Sequence, residues 1–174
     1  LLDGEGKSIG RDGPVVCFAG SAVNQDGRSS ALTAPNGPAQ QRVISSALQR
    51  ATLTSFSVAR LNMHGTGTPL GDPIEIGAAH AVLMHSKTTS GSSDTEHVAP
   101  LSVQAGKTYV GHTEPAAGVV GLIHAIHGTC HRTTSPVLHL RHVNPHLTRI
   151  LGGSQQSRLV RLLVWVICAV SKMV

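Results

Sequence analysis

Residues 62–75, Asn-Met-His-Gly-Thr-Gly-Thr-Pro-Leu-Gly-Asp-Pro-Ile-Glu, constrain this chain more than any other stretch. The residues leading into them, Val58 to Met63, form an apolar run that predicts a short buried strand. His64 falls at the strand's end. A glycine-rich turn follows, which lets the backbone come close to whatever the imidazole faces. Thr66 and Thr68 place two hydroxyls in that turn. Asp72, Pro73 and Glu75 then have the spacing of a helix start, with Asp72 as N-cap, Pro73 at the first helical position and Glu75 three residues after the cap. On that reading the two carboxylates cap a helix and do no chemistry. A strand, a histidine, a Gly/Thr loop and a capped helix present a titratable group at the carboxyl end of a sheet, as α/β folds do.

The rest of the chain continues the alternation. Pro14 to Ala19 is a continuous apolar run and predicts a buried strand that holds Cys17 in the core. A long polar loop from Ser21 to Pro38 carries turn residues including Asn24, Asp26 and Gly27, and loops of this length inside a domain tend to be functional. Pro38 to Ala51 predicts a helix with Val43, Ile44, Ala47, Leu48 and Ala51 on one face. A second helix is expected from Pro73 to His85, an exposed low-complexity linker from Lys87 to His97, and a third strand from Pro100 to Gln104. A last long helix should run from Pro115 or Ala116 to His131, where Gly118 and Gly121 suggest close packing against a neighbouring backbone. Strand and helix alternate throughout, so the expected fold is α/β, a mainly parallel sheet covered by helices.

Composition removes several classes of function. The net charge is +5, but Lys and Arg are scattered and only four aromatic residues are present, which argues against nucleic-acid binding. The three cysteines, Cys17, Cys130 and Cys168, lie far apart without Cys-x-x-Cys spacing, so neither a zinc site nor a disulfide framework is expected. Eleven histidines raise a metal hypothesis, and His124, His127 and His131 fall at helical spacing. No carboxylate or cysteine converges with them in sequence, and no metal site is assigned. Leu1 and Leu2 are followed at once by Asp3, Gly4 and Glu5, unlike a signal peptide, which leaves the cytoplasm or an organellar stroma as the expected location.

Three strings carry a resemblance: His64 to Thr68 with Gly71 to Glu75, Gly106-Lys107-Thr108-Tyr109-Val110-Gly111-His112, and Gly20 to Arg28 continuing through Leu32 to Gln41. They resemble, in order, the active-site histidine loop, the second histidine motif and the upstream loop and helix of type I polyketide synthase β-ketoacyl synthase (ketosynthase) domains. The resemblance covers roughly residues 14 to 147. It implies a thiolase-like, layered α-β-α-β-α fold, of which the chain supplies mainly the second α/β repeat. Residues 1–13 are then a surface turn and 14–150 the C-terminal part of a ketosynthase domain. By its motifs the resemblance makes His64 and His112 the two catalytic histidines, with Lys107 organising them. Thr66 and Thr68 match positions that hydrogen-bond a pantetheine arm, while Glu114 is the nearest partner in sequence for Lys107. Asn24 and Asp26 shape a loop at the pocket.

The implied reaction is decarboxylative Claisen condensation of malonyl-type thioesters. Its phosphopantetheine belongs to an acyl carrier protein, so no cofactor of the chain's own is implied. The implied partners are that carrier, an N-terminal ketosynthase half and, in the intact enzyme, a second copy; no nucleic acid or membrane is expected. Two departures stand out. Tyr109 replaces the family's usual Asn, and no Ala-Cys-Ser-Ser motif supplies the nucleophile, so the chain alone is expected to be inactive in condensation. A non-catalytic remnant and a His-rich metal binder are the alternatives. Half of a duplicated fold should also expose apolar surface and aggregate. Residues 151–174 form an atypical apolar tail, read as sequence foreign to the domain or, failing that, as a membrane-surface helix.

Overall fold

The computed structural model describes residues 16–27, 34–84 and 101–150, with the backbone of two further strands at 165–166 and 168–171. The expected linker at 87–97, residues 1–13, part of the loop between Ser21 and Pro38 and most of the tail lie outside the described residues. The elements are β1 (Ala22–Gln25), α1 (Gly37–Arg50), β2 (Arg60–Asn62), α2 (Gly71–Leu83), β3 (Ser102–Gln104), α3 (Lys107–Val110), α4 (Ala117–Cys130), α5 (Pro145–Ile150), β4 (Trp165–Val166) and β5 (Cys168–Ser171). Among the described residues the strand pairs are all parallel: β3-β2-β4 form one sheet and β1-β5 another.

Alternation along β2 sets the layering. Leu61 and Met63 turn to one side and join Val43, Ile44, Ala47 and Leu48 of α1 and Ile76, Ala79 and Leu83 of α2 in a single core. Arg60 and Asn62 turn to the other side and meet α4. The Arg60 guanidinium, though buried, donates to the carbonyls of Gly128 at 3.1 Å and Thr133 at 2.5 Å, which closes the C-terminal end of α4. The expected apolar strand is thus apolar on one face only. Gly121 of α4 makes the close approach expected of it, but to a side chain: an added Cβ would lie 3.0 Å from the Asn62 amide nitrogen, whereas Gly118 has open space beside it.

Two expectations fail at the ends of the chain. The first strand falls at Ala22–Gln25, within the expected loop, and residues 16–19 are exposed, with Phe18 at 64% and Cys17 outside the core. Parallel pairing decides this, because β5 lies opposite residues 22–25, and no described strand pairs with 16–19. In the tail, the backbone at Trp165–Val166 and Cys168–Ser171 is extended and paired with β2 and β1, which rules out the membrane-surface helix over those residues. Among the described residues no helix is long and apolar enough to cross a membrane. Val119, Ile123 and Ile126 nevertheless form an exposed stripe along α4, the first two at 59% and 60%, in keeping with the apolar surface expected of a partial domain.

Candidate active site

Adjacent parallel strands bring the motifs together. β2 and β3 pair with Asn62 opposite Gln104, and the Met63 N–H donates to the Gln104 carbonyl at 2.8 Å. The chain leaves both strands at the same edge, so His64 follows one and Lys107 the other. Gly65, at φ 50°, lies so close to Ala105 that a Cβ there would approach Ala105 Cβ to 2.9 Å. Gly111, at φ 73°, then reverses the chain and delivers His112 to His64. The two imidazoles meet edge to face, with ring centroids 5.2 Å apart and planes at 88°.

Hydrogen bonds assign the tautomers. Lys107 Nζ lies 3.3 Å from His64 Nδ1, and an ammonium can only donate, so Nδ1 is the acceptor and the His64 proton is on Nε2. The backbone N–H of Glu114 donates to His112 Nδ1 at 3.2 Å, which places that proton on Nε2 as well. Glu114 holds its amide there in a left-handed conformation, φ 43°, that is strained for any residue but glycine.

The carboxylates act differently from their expected roles. α2 starts at Gly71 without a side-chain N-cap from Asp72. Thr68 Oγ1 instead accepts the Gly71 N–H at 3.0 Å, and Asp72 Oδ1 accepts the Gly67 N–H at 3.2 Å. Glu75 reaches back across the loop, taking the N–H of His64 at 2.5 Å on one oxygen and that of Gly65 at 3.0 Å on the other. Glu75 is also the carboxylate whose charge supports the Lys107 ammonium; Glu114 is exposed and serves His112 through its backbone. The helix registers explain the exchange. Asp72 and Glu75 lie on the first turn of α2, facing the loop, whereas Glu114 lies past the Gly111 reversal.

Thr66 and Thr68 are exposed in the loop. The hydrogen bonds of Asn24 Nδ2 to the Ala39 carbonyl at 2.7 Å, and of Asn36 Nδ2 to the Asp26 carbonyl at 2.6 Å, tie β1 to the start of α1. Tyr109 donates its hydroxyl to the Pro136 carbonyl and lays its ring 5.6 Å from that of His124. Sequence reasoning missed Asn62, which accepts the Gly106 N–H at 3.1 Å, and the buried Arg60. A polar residue at alternate positions of an otherwise apolar strand was the signal for both. Among the described residues no three His, Cys, Asp or Glu side chains gather into a metal-holding group, although the His127 and His131 rings lie 4.3 Å apart.

Burial holds His64 below the ordinary imidazole value, and the charges of Lys107 and His112 lower it further against the opposing pull of Asp72. His124 is lowered by burial and then by His127. A histidine lowered on folding stabilises fully above its unfolded value, about 6.5, and that stability is lost as pH falls from there through the folded value. Glu75 is raised, chiefly by burial, so its contribution is fully present below about 4.3 and declines as pH rises above it. The two histidines are therefore expected to raise the melting temperature as pH approaches about 6.5, against the falling contribution of Glu75, and the His64→Ala and His124→Ala variants should each lower that slope. An unchanged slope in both would contradict these assignments.

Comparison with known proteins agrees with the geometry. The family model for the β-ketoacyl synthase C-terminal domain matches residues 15–141. The chain is 48% identical over 135 residues to the spectinabilin polyketide synthase system protein NorA' of Streptomyces orinoci, covering 77% of this chain. It is 44% identical over 141 residues to erythronolide synthase EryA3 of Saccharopolyspora erythraea, covering 80% of this chain. It spans 4% of the length of each of those relatives. Among solved structures, the ketosynthase domain OzmH KS7 of Streptomyces albus JA3453 superposes with a TM-score of 0.64 at 33% identity, over 74% of this chain and 21% of that one. The module 6 ketosynthase of the bacillaene synthase from Bacillus subtilis 168 gives 0.63 at 32%, with the same coverage. These neighbours have the thiolase-like fold, of which this chain is a part. By motif, by match and by fold, the chain belongs to the β-ketoacyl synthase C-terminal domain family.

Proposed function

We propose that this chain supplies the histidine half of a ketosynthase active site and acts in decarboxylative condensation of a malonyl-type thioester onto an acyl chain. The observation that carries the reading is the pair of imidazoles, each held with its proton on Nε2, 5.2 Å apart at the end of one sheet. When the malonyl carbon–carbon bond breaks, carbon dioxide leaves and the electron pair moves toward the thioester oxygen. Two neutral N–H donors directed at that oxygen stabilise the charge where it forms. The resulting enolate attacks an acyl thioester carried on a cysteine; the new carbon–carbon bond forms and the thiolate departs.

Lys107 and Glu75 position the donors and take no proton in this scheme. The substrate's pantetheine arm, borne by an acyl carrier protein, supplies the thioester. Thr66 and Thr68 fit it: both are exposed, and Thr68, whose oxygen accepts the Gly71 N–H, keeps its own proton to donate. The nucleophilic cysteine comes from a ketosynthase segment bearing the Ala-Cys-Ser-Ser motif, which these 174 residues do not contain.

The test is a graft. An intact ketosynthase whose matching segment is replaced by residues 15–141 should release carbon dioxide from malonyl thioester and elongate its acyl chain, while the 174-residue chain alone should form no product. Product from the isolated chain would overturn the need for a separate nucleophile. A graft that acylates its cysteine but releases no carbon dioxide would overturn the role of the histidines.

A further inference from the structure

One carboxamide joins three of the elements around the site, β2, the Lys107 turn and α4. Asn62, half-buried on β2 two residues before His64, accepts the Gly106 N–H at 3.1 Å, immediately before Lys107. Its Nδ2 donates to the Gly121 carbonyl of α4 at 3.4 Å, and α4 begins directly after the His112–Ala116 turn. A side chain at Gly121 would approach that same nitrogen to 3.0 Å, so the helix is set against the amide with no slack. The Met63 N–H on the Gln104 carbonyl fixes the backbones of the two strands. The backbone alone, however, does not reach α4. We propose that Asn62 is a positioning residue for this site: its amide bonds both the Lys107 turn and the start of α4, while Arg60 holds the far end of that helix, and so it sets where the two imidazoles meet.

The inference rests on reading His64 and His112 as the charge-stabilising pair, but its test requires no turnover. His64 is faced by Lys107 from the α3 turn, by His112 and by Asp72 from α2, while Glu75 holds its backbone N–H. If the Lys107 turn drifts, His64 loses the donor on Nδ1 and a neighbouring positive charge. Side-chain nitrogen NMR on the 174-residue chain reads both losses. In Asn62→Leu and in Gly121→Ala, His64 should pass from a pure Nε2–H tautomer to a mixture, and its titration midpoint should rise toward the ordinary imidazole value. Gly121→Ala perturbs the contact from the helix side and keeps the test decisive if Asn62→Leu does not fold. Gln104→Leu serves as the control. Its Nε2 donates to the Ser135 carbonyl at 3.5 Å, so its loss should lower the melting temperature and leave the His64 midpoint in place. If both site variants lower the melting temperature as the control does, with the tautomer and midpoint of His64 unchanged, Asn62 is ordinary packing and the proposal falls. The graft can fail on its chemistry while this result stands, and the reverse also holds.

Discussion

In the grafted synthase, His64→Ala is expected to slow carbon dioxide release from malonyl thioester by about 10²–10³-fold, the loss that follows removal of one oxyanion donor. Acylation of the cysteine should proceed, because the imidazole is asked to stabilise charge on the malonyl oxygen and not to activate the thiol. His112→Ala should cost a similar factor. The double variant should lose less than the product of the two, since residues that act as a unit are not additive. His64→Ala also removes the acceptor that Lys107 faces at 3.3 Å, leaving a partly buried ammonium with Glu75 as its nearby carboxylate. Part of the loss will therefore be positional, and His64→Gln, which retains an N–H donor, should recover some of it. Single-turnover release of labelled carbon dioxide separates this step from acylation. Equal release by His64→Ala and the parent would remove the central element of the proposed mechanism.

Glu75→Ala is expected to damage both stability and chemistry without touching substrate. Two loop amides, those of His64 and Gly65, lose a charged acceptor. Hydrogen bonds to charged groups contribute about 1.5–3 kcal/mol each, and the two share one carboxylate, so a total near that range is expected for the variant. For a chain of this size that corresponds to a fall in melting temperature of about 3–12 °C. The cost is limited because burying the carboxylate is itself unfavourable, as its raised pKa records. Glu75→Gln should fall between the two, retaining one acceptor oxygen but losing the charge opposite Lys107. In the graft both variants should lower kcat more than KM, since they displace the donors and spare the exposed hydroxyls of Thr66 and Thr68. A Glu75→Ala chain that melts with the parent would show that the loop is held by its glycines alone.

The α/β alternation and the local pieces of the candidate site were legible in the sequence. The order of strand, histidine, Gly/Thr turn and helix could be read from local chemistry, because each piece is specified by residues within a few positions of one another. The partners of those pieces could not. Glu114 is the carboxylate nearest Lys107 past the histidine in sequence, yet the charge that supports it belongs to Glu75, brought there by β2–β3 pairing. Asp72 had the spacing of an N-cap, but the Thr68 hydroxyl lay three residues before Gly71 and took its N–H first. The apolar run at Pro14–Ala19 predicted a strand on hydrophobicity alone, whereas pairing with β5 placed the strand at Ala22–Gln25. For Lys107 and for the first strand the deciding interaction joins segments far apart in the chain, where periodicity carries no information; at the start of α2 it is local, a choice between two side chains that could each take the same N–H.

The side-by-side exit of β2 and β3 has a practical consequence for recombination. Because Asn62 lies opposite Gln104 and its amide spans Gly106 and Gly121, the interval from 60 to 121 is expected to behave as one inheritable block. A crossover between α2 and β3 would join one parent's first histidine to another's second across contacts neither parent evolved to share. Chimeric synthases cut before β2 or after α4 keep that block whole, and libraries of such exchanges should yield functional members more often than those divided inside it.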